Sequence, residues 1–191
     1  MSVSIEKAIL HLEGGGIVVY PTDTLWGIGC NALNENGVKQ LIKIKGKIEG
    51  GMSVIIPKIE TVKKICEVSE RDEKILRDNL PGPFTFIMKV KSKFPKGVCR
   101  NERIGIRIPN NKIALKLSAK FPIISTSANK HGEATVKNIK EAKEIFGNEI
   151  LYLEGEEPLG LQSTIINLDE GEVEVIRKGM GYLKQTEAEN G

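Results

Sequence analysis

Short apolar runs and helical periodicities alternate along most of the chain. Short unbroken or alternating apolar runs predict strands, whereas apolar residues spaced three and four positions apart predict helices. Helices that alternate with strands predict an α/β fold with a mixed sheet. The strands are predicted at residues 17–20, 53–56, 85–90, 104–109, 123–124, 150–153, 163–168 and 173–177. The helices are predicted around residues 5–12, 38–42, 62–66, 75–76, 113–117 and 139–146.

Polar residues mark where several of these elements begin. Ser4 and Asn34 can cap the first two helices, because their short side chains accept a hydrogen bond from a free backbone N–H. Ser69 and Asp72 have the spacing of a capping box. We expect a loop between the first strand and Asn34, and a hairpin that joins the last two strands across residues 169–171.

The composition is that of one soluble globular domain. The chain has 191 residues, of which 40% are hydrophobic and 28% charged. We expect the domain to cover residues 1–182 and a polar tail to follow at 183–191. The net charge of +3 is compatible with an anionic ligand but is too small to indicate a nucleic-acid-binding protein. Since no signal peptide or membrane-length apolar run is found, we expect a cytoplasmic protein without a membrane partner.

Cysteine and histidine residues form no pattern typical of a disulfide framework or a zinc site. Cys30, Cys66 and Cys99 are far apart, no CxxC motif occurs, and the chain has two histidines. We therefore expect reduced thiols and no protein-ligated metal ion.

Polar residues also cluster where the predicted strands end, and ligands of open α/β sheets bind in the crevice beyond strand ends. These clusters offer cations and small hydroxyl or amide donors, which suit phosphate and carboxylate groups. The sequence contains neither a P-loop nor a GxGxxG motif in the required context. The four clusters are Thr22, Asp23 and Thr24; Lys45 and Lys47 around Gly46; Ser125, Thr126, Ser127 and Asn129; and Arg107, Ser163, Thr164 and Arg177.

Each cluster also has a purely structural interpretation. The first can be a turn whose side chains bond their own backbone, and the second a solvated helix end. The third can be a helix N-cap, and the arginines of the fourth can be surface ion-pair partners. The residues alone therefore predict no more than an anion-binding α/β domain.

The order of the motifs is more specific than any one of them. YPTDTLWGIGCNA, IKGK, LPGPFTFI, IGIRIPNN, ISTSANKHGE and QSTIINL with VIRKGM follow one another between about Gly14 and Gly181. In this order they resemble the Sua5/YrdC/TsaC family, in its short, TsaC-like form. The resemblance implies a twisted mixed sheet with flanking helices around a large, positively charged concave cavity, so that residues 1–182 form a YrdC-like catalytic domain.

The resemblance also implies an activity. Members of this family are nucleotidyltransferases that make L-threonylcarbamoyladenylate from L-threonine, bicarbonate and ATP, and release pyrophosphate with Mg²⁺. The product feeds the t6A modification of tRNA at position 37. The implied partners are these substrates, the downstream t6A transferase machinery and, by direct contact, tRNA. The site must hold two anions together and stabilise charge on phosphorus.

Residue roles follow from matching the family's motifs to this sequence. Asp23 is expected to fix its loop, and Trp26 to pack in the core. The implied contacts are Lys45 and Lys47 with the carbamate and α-phosphate; Lys47, Ser127, Asn129 and Arg177 with ATP; and Thr24, Arg107 and Ser163 with L-threonine.

The stretch after Lys45 departs from the family pattern. Lys47 stands where the family usually has arginine, and Gly50, Gly51 and Met52 replace a proline followed by KPL or NPL. Ile56 stands where some members have histidine. Two alternatives stay open: a carbamoyladenylate-forming domain like that of hydrogenase-maturation proteins, and an RNA-binding module with the same fold.

Overall fold

The computed structural model describes residues 3–46, 52–169 and 172–184 of the chain. Within these ranges the helices are α1 (Ile5–Glu13), α2 (Glu35–Lys45), α3 (Ile59–Ile65), α4 (Glu70–Asn79), α5 (Lys112–Leu117) and α6 (Ile139–Phe146). The strands are β1 (Val18–Pro21), β2 (Trp26–Gly29), β3 (Ser53–Ile55), β4 (Phe84–Lys89), β5 (Arg103–Arg107), β6 (Ile123–Ser127), β7 (Leu151–Tyr152), β8 (Thr164–Asp169) and β9 (Glu172–Arg177).

The predicted helix starts are confirmed. The side chain of Ser4 accepts from the backbone N–H of Lys7 at the start of α1, and Asn34 does the same for Gly37 at the start of α2. The capping box of Ser69 and Asp72 begins α4. These signals were readable from the sequence because a cap and its partner lie within one helical turn.

The strands form one mixed sheet, as predicted. Their order is β7-β1-β2-β6-β3-β5-β4-β8-β9. Three neighbouring pairs are parallel, namely β1 with β7, β3 with β5 and β4 with β8, and the other pairs are antiparallel. The predicted hairpin of β8 and β9 is present.

The prediction of a loop up to Asn34 is wrong, because this segment includes β2, an interior strand of the sheet. This strand pairs with β1 on one side and β6 on the other. The sequence did not predict this strand because it contains Gly27 and Gly29, and glycine is depleted in strands. They are needed here: a Cβ on Gly29 would lie 1.9 Å from the carbonyl oxygen of Ile124 on β6. The close approach of two backbones therefore excludes any side chain at this position.

Two hydrophobic clusters hold the sheet and the helices together. The smaller one contains Leu12 of α1, Leu117 of α5 and Tyr20 of β1, all fully buried. The larger one includes Leu41 of α2 and Phe86 of β4. Across the described part of the chain, no helix has the length and apolar character that a membrane crossing requires.

Candidate active site

A cavity of about 430 Å³ lies against one face of the sheet. Side chains from β2, β3, β4, β5, β6, β8 and β9 line it, together with the loops before β2, β5 and β8. The expectation that the ligand crevice lies beyond the strand ends is therefore wrong, because the floor of the cavity crosses the strands themselves. Four arginines line the cavity, and none of the described lining residues is acidic: Arg100, Arg103, Arg107 and Arg177.

The strand registers divide the cavity floor into rows. Ser53 pairs with Gly105 on one side and with Ser125 on the other, so these three residues share the middle row. Arg103 and Arg107 lie two residues to either side of Gly105 on β5, and both line the cavity. Four residues of strand span about 13 Å. The two arginines therefore stand at opposite ends of the floor.

The loop between β1 and β2 is fixed by its own threonines. Thr22 Oγ1 donates to the carbonyl of Leu25 at 2.7 Å and accepts from the backbone N–H groups of Thr24 and Leu25. The two threonine hydroxyls lie 3.0 Å apart, and either of them can be the donor. The structural interpretation of this cluster thus holds for Thr22, whose other hydrogen bonds are made within the loop.

Arg107 connects this loop to β5. Its Nη2 donates to Thr24 Oγ1 at 2.8 Å and to Asp23 Oδ1 at 3.2 Å, and Asp23 Oδ2 accepts from the backbone N–H of Asn110 at 3.0 Å. Burial lowers the pKa of Arg107, and the carboxylate of Asp23 opposes this shift. Arg107 Nε is buried without a partner among the described residues. Asp23 therefore fixes the loop and the guanidinium, as expected for it.

Ser163 and Arg177 belong to the same end of the cavity as Arg107. Arg177 on β9 pairs with Ile165 on β8, Ile165 pairs with Thr85 on β4, and the register of β4 with β5 places Thr85 opposite Arg107. Arg177 and Arg107 therefore lie in the same row of the sheet. Ser163 Oγ bonds Thr85 Oγ1 at 2.9 Å, and Arg177 Nη2 donates to the carbonyl of Ser163 at 2.9 Å. Burial, and then the charge of Arg107, lowers the pKa of Arg177. Arg177 thus lies with the residues that the resemblance assigns to threonine.

Lys45, Ser127 and Asn129 form a second cluster, at the other end of the floor. Lys45 Nζ donates to the carbonyls of Ser127 at 2.7 Å and Asn129 at 2.6 Å, and to Asn129 Oδ1 at 2.9 Å. Ser127 Oγ also donates to Asn129 Oδ1, at 2.5 Å, and the Asn129 amide donates to the carbonyls of Lys130 and Glu133. The side-chain amide of Asn129 therefore has all its hydrogen bonds satisfied within the protein.

This cluster presents one of its three side chains to the cavity. Ser127 lines the cavity, whereas Lys45 and Asn129 are not among the lining residues. Burial lowers the pKa of Lys45 to about 8, although three oxygen acceptors favour the charged ammonium. Lys47, the other lysine of this motif, lies outside the described residues, as do Gly50 and Gly51.

Trp26 packs in the larger hydrophobic cluster, as expected, and it also lines the cavity. Its indole N–H donates to the carbonyl of Lys137 at 3.0 Å. This bond joins β2 to the segment before α6, and it could not be predicted from the sequence because the partner is a backbone carbonyl.

The sequence interpretation missed three polar residues of the turn before β5. Arg100, Asn101 and Arg103 all line the cavity. The only local signal was an asparagine between two arginines, and Asn favours turns in which φ is positive. No group of three or more His, Cys, Asp or Glu residues in the described part of the chain could hold a metal ion.

Comparisons with known proteins give the same fold and an enzyme family. The sequence model of the family described as "Telomere recombination", which groups Sua5, YciO and YrdC, matches residues 11–179. The threonylcarbamoyl-AMP synthase of Coxiella burnetii strain RSA 493 is 35% identical over 165 residues, which cover 82% of this chain and 87% of that protein.

Two solved structures have the same arrangement of strands and helices. E. coli YciO superposes with a TM-score of 0.86 at 26% identity, over 94% of this chain and 91% of its own. Sua5 of Pyrococcus abyssi, solved in complex with L-threonine, superposes with a TM-score of 0.84 at 28% identity. That match covers 94% of this chain and 56% of Sua5, so this chain spans little more than half of the longer protein. The mixed α/β sheet with flanking helices that the resemblance implied is therefore confirmed.

Proposed function

The chain belongs to the Sua5/YciO/YrdC family and is an enzyme related to threonylcarbamoyl-AMP synthases, and from this premise we propose that it makes L-threonylcarbamoyladenylate. Its substrates are L-threonine, bicarbonate and ATP, and its second product is pyrophosphate. The observation that carries the proposal is a cavity with two polar ends. Arg107 and Thr24 lie at one end, and Ser127, backed by Lys45 and Asn129, lies at the other.

The first end suits an amino acid that carries both a carboxylate and a hydrogen-bond donor. Arg107 lines the cavity, so its guanidinium can pair with the threonine carboxylate. Ser163 adds a hydroxyl at the same end of the cavity, where it bonds Thr85 Oγ1 and lies within 3.4 Å of Arg177 Nη2. Thr24 receives a hydrogen bond from Arg107 and lines the cavity, and its hydroxyl can both donate and accept. We propose that it bonds the amine, hydroxyl or carboxylate of threonine.

The second end suits the phosphates of ATP. Ser127 lines the cavity, and the buried ammonium of Lys45 lies behind the turn that carries it. The single hydroxyl proton of Ser127 is donated to Asn129 Oδ1 in this structure, so bonding a phosphate oxygen requires the hydroxyl to exchange that bond. We assign Lys45 and Asn129 the role of holding this turn, because their hydrogen bonds are already taken up within the protein. Lys47 remains the proposed contact to the α-phosphate. Arg177, which lies at the same end of the cavity as Arg107, remains a proposed contact to the nucleotide.

The reaction proceeds in two balanced steps. The threonine amine attacks bicarbonate, water leaves, and an N-carboxylate forms. An oxygen of this carboxylate then attacks the α-phosphorus of ATP, the bond to the bridging oxygen of the β-phosphate breaks, and pyrophosphate departs with that electron pair. The cavity contributes positioning and charge stabilisation, and no protein nucleophile is needed.

Mg²⁺ enters this reaction with ATP, as part of the substrate. Among the described residues, the carboxylate of Asp23 next to the cavity-lining Thr24 already accepts from Arg107 and from the backbone N–H of Asn110. It is thus not free to bind a cation. In solution Mg²⁺ neutralises the phosphates, and it leaves with pyrophosphate.

The product is a mixed anhydride, so a later enzyme must transfer its threonylcarbamoyl group to an amine. For this family the acceptor is the adenosine at position 37 of tRNA. Contacts of this chain with the t6A transferase and with tRNA itself remain predictions. The hydrogenase-maturation alternative differs in its substrate, because it does not use threonine.

The test is pyrophosphate release by the purified protein with ATP and Mg²⁺, with L-threonine and bicarbonate supplied together or one at a time. We expect release that requires both. Release with a carbamoyl donor such as carbamoyl phosphate, in the absence of threonine and bicarbonate, would instead favour the hydrogenase-maturation alternative, because a carbamoyladenylate needs a nitrogen that bicarbonate lacks. Salt-dependent RNA binding without ATP turnover would favour the RNA-binding module.

A further inference from the structure

Thr164 belongs to the same polar cluster as Ser163 and Arg177, but the proposed function gives it no role. Its side chain is buried and bonds the chain that follows β9, residues 179–184, here called the post-β9 segment. We propose that Thr164 is a positioning residue, which uses this segment to hold Ser163 at the threonine end of the cavity. This inference rests on the proposed function and adds to it a residue that acts through Ser163.

The hydroxyl of Thr164 bonds two backbone groups of the post-β9 segment. Thr164 Oγ1 donates to the carbonyl of Gly181 at 2.6 Å and accepts from the backbone N–H of Gly179 at 3.0 Å. The backbone N–H of Thr164 donates to the carbonyl of Pro83 at 3.0 Å, which fixes the residue beside the start of β4. Thr164 is not among the residues that line the cavity. Any effect of Thr164 on the reaction must therefore pass through its neighbours.

Ser163 lies between two points at which the post-β9 segment holds the chain. On one side, the backbone N–H of Met180 donates to the carbonyl of Gln162 at 2.8 Å. On the other side is the hydroxyl of Thr164, with its two bonds to the segment. The carbonyl of Ser163 itself accepts from Arg177 Nη2 at 2.9 Å. Three consecutive residues are thus bonded to β9 and the segment after it, and Ser163 is the middle one.

Two glycines allow the post-β9 segment to lie this close. A Cβ on Gly179 would lie 2.3 Å from the carbonyl oxygen of Gln162 and 2.5 Å from the carbonyl carbon of Ser163. A Cβ on Gly181 would lie 2.6 Å from the ring of Phe84 on β4. Glycine permits such close approach of two stretches of backbone. Because closely packed groups transmit displacements, a shift of the segment displaces the backbone on either side of Ser163.

The far end of the post-β9 segment is fixed to α4. The backbone N–H of Lys184 donates to Asn79 Oδ1 at 2.9 Å, and Leu183 packs against the larger hydrophobic cluster. Asn79 is buried, and its amide donates to the carbonyl of Ile75 within α4 at 2.8 Å. The segment is therefore held at both ends, and Thr164 is its attachment next to the cavity.

The placement of Ser163 matters because its hydroxyl faces the threonine end of the cavity. Ser163 lines the cavity, and its Oγ bonds Thr85 Oγ1 at 2.9 Å. A hydrogen bond to the threonine carboxylate requires this hydroxyl within a narrow range of distance and angle. A small displacement of the backbone at Ser163 therefore weakens the binding of threonine, although Thr164 itself does not touch the substrate.

The test is the steady-state kinetics of pyrophosphate release by the wild type, Thr164→Val and Thr164→Ser. Valine keeps the shape of threonine without its hydroxyl, whereas serine keeps the hydroxyl. In Thr164→Val we expect the KM for threonine to rise about tenfold and kcat to change less than about twofold, because a binding contact is lost. Thr164→Ser should restore the wild-type KM. Thr61→Val is the matched control, because it makes the same chemical change on α3, outside the cavity.

A double variant shows whether Thr164 acts through Ser163. If it does, Ser163→Ala/Thr164→Val should have the same KM for threonine as Ser163→Ala alone, since coupled residues are not additive. Gly179→Ala guards against a folding defect in Thr164→Val, because it displaces the post-β9 segment while every other side chain stays in place. It should raise the KM for threonine in the same way, with the KM for ATP changed less.

Three results would overturn the inference and leave the proposed function standing. They are a wild-type KM for threonine in folded Thr164→Val, effects of Ser163→Ala and Thr164→Val that multiply in the double variant, and equal rises in the KM values for ATP and threonine. A Thr164→Ser variant as impaired as Thr164→Val would also overturn it, because the hydroxyl would then not be what matters. A folded wild type without threonine-dependent release of pyrophosphate would overturn the proposed function and this inference together.

Discussion

Replacing Asp23 by asparagine tests how the threonine end of the cavity is held together. The carboxylate of Asp23 accepts from Arg107 Nη2 at 3.2 Å and from the backbone N–H of Asn110 at 3.0 Å. Asparagine has the same shape but can accept through one oxygen only, and its amide presents donors on the other side. In Asp23→Asn, either Arg107 or Asn110 must therefore face another donor.

The magnitude follows from the burial of the pair. Both side chains are about nine-tenths buried, with exposed fractions of 10% for Arg107 and 9% for Asp23. Breaking a buried ion pair by changing one partner costs about 3–5 kcal/mol. Arg107 borders the cavity, and water there compensates part of this cost, so we expect about 2–3 kcal/mol. For a domain of this size, that corresponds to a fall in Tm of about 4–12 °C.

Thermal unfolding and steady-state kinetics together give the assay. Asp78→Asn is the matched control, because Asp78 is exposed on α4 and undergoes the same chemical change. We expect a Tm of the control within about 1 °C of the wild type. In Asp23→Asn, Arg107 loses one of its two fixed partners, so the KM for threonine should rise about tenfold, with the KM for ATP nearly unchanged.

Two results would refute this reasoning. If Asp23→Asn melts like the control, the ion pair contributes nothing to the free energy of unfolding. If the KM for ATP rises as much as that for threonine, Asp23 does not act on a separate threonine end. The second result would also mean that the two ends of the cavity, about 13 Å apart along β5, do not act independently.

Three further changes probe other parts of the molecule. Gly29→Ala should lower Tm by more than about 8 °C, because the new Cβ would lie 1.9 Å from a backbone oxygen. The control Gly14→Ala should not, because its Cβ would lie 3.5 Å from the nearest atom. Equal melting of the two variants would contradict the close pairing of β2. Burial lowers the pKa of Lys45 to about 8, so its charge is lost above that pH, and the rate of pyrophosphate release at saturating substrates should fall as the pH rises through about 8. A rate that stays unchanged up to about pH 9.5 would exclude a role for this charge. Ser127→Ala should raise the KM for ATP with little change in Tm, whereas Asn129→Ala should lower Tm because it removes four internal hydrogen bonds; the reverse pattern would contradict the proposed roles.

Features that depend on nearby residues were the ones that the sequence revealed. Ser4, Asn34 and Ser69 each bond a backbone group three residues away, so their spacing alone predicts a helix start. The threonine loop was recognisable for the same reason, since Thr22 bonds within its own turn. The order of several such motifs then identified the family, and with it the mixed sheet.

Features that depend on distant pairing could not be predicted from the sequence. The ammonium of Lys45 donates to oxygens of residues 82 and 84 positions further along the chain. The sequence therefore could not show that Lys45 does not line the cavity. The strand β2 is defined by its neighbours β1 and β6 and contains the glycines that usually argue against a strand. Arg103 lies at the same end of the cavity floor as Ser127 only because β3 pairs with both β5 and β6, and these pairings could not be predicted from the sequence.

The most direct measurement of the proposed chemistry is the mass of the nucleotide product formed from ¹³C-labelled bicarbonate. The purified protein would be incubated with ATP, Mg²⁺, L-threonine and labelled or unlabelled bicarbonate, and the AMP-containing product identified by mass spectrometry. We predict a product with the mass of threonylcarbamoyl-AMP that becomes one mass unit heavier with the label. A threonine adduct of AMP without the label, or no AMP adduct from folded protein, would contradict the proposed function.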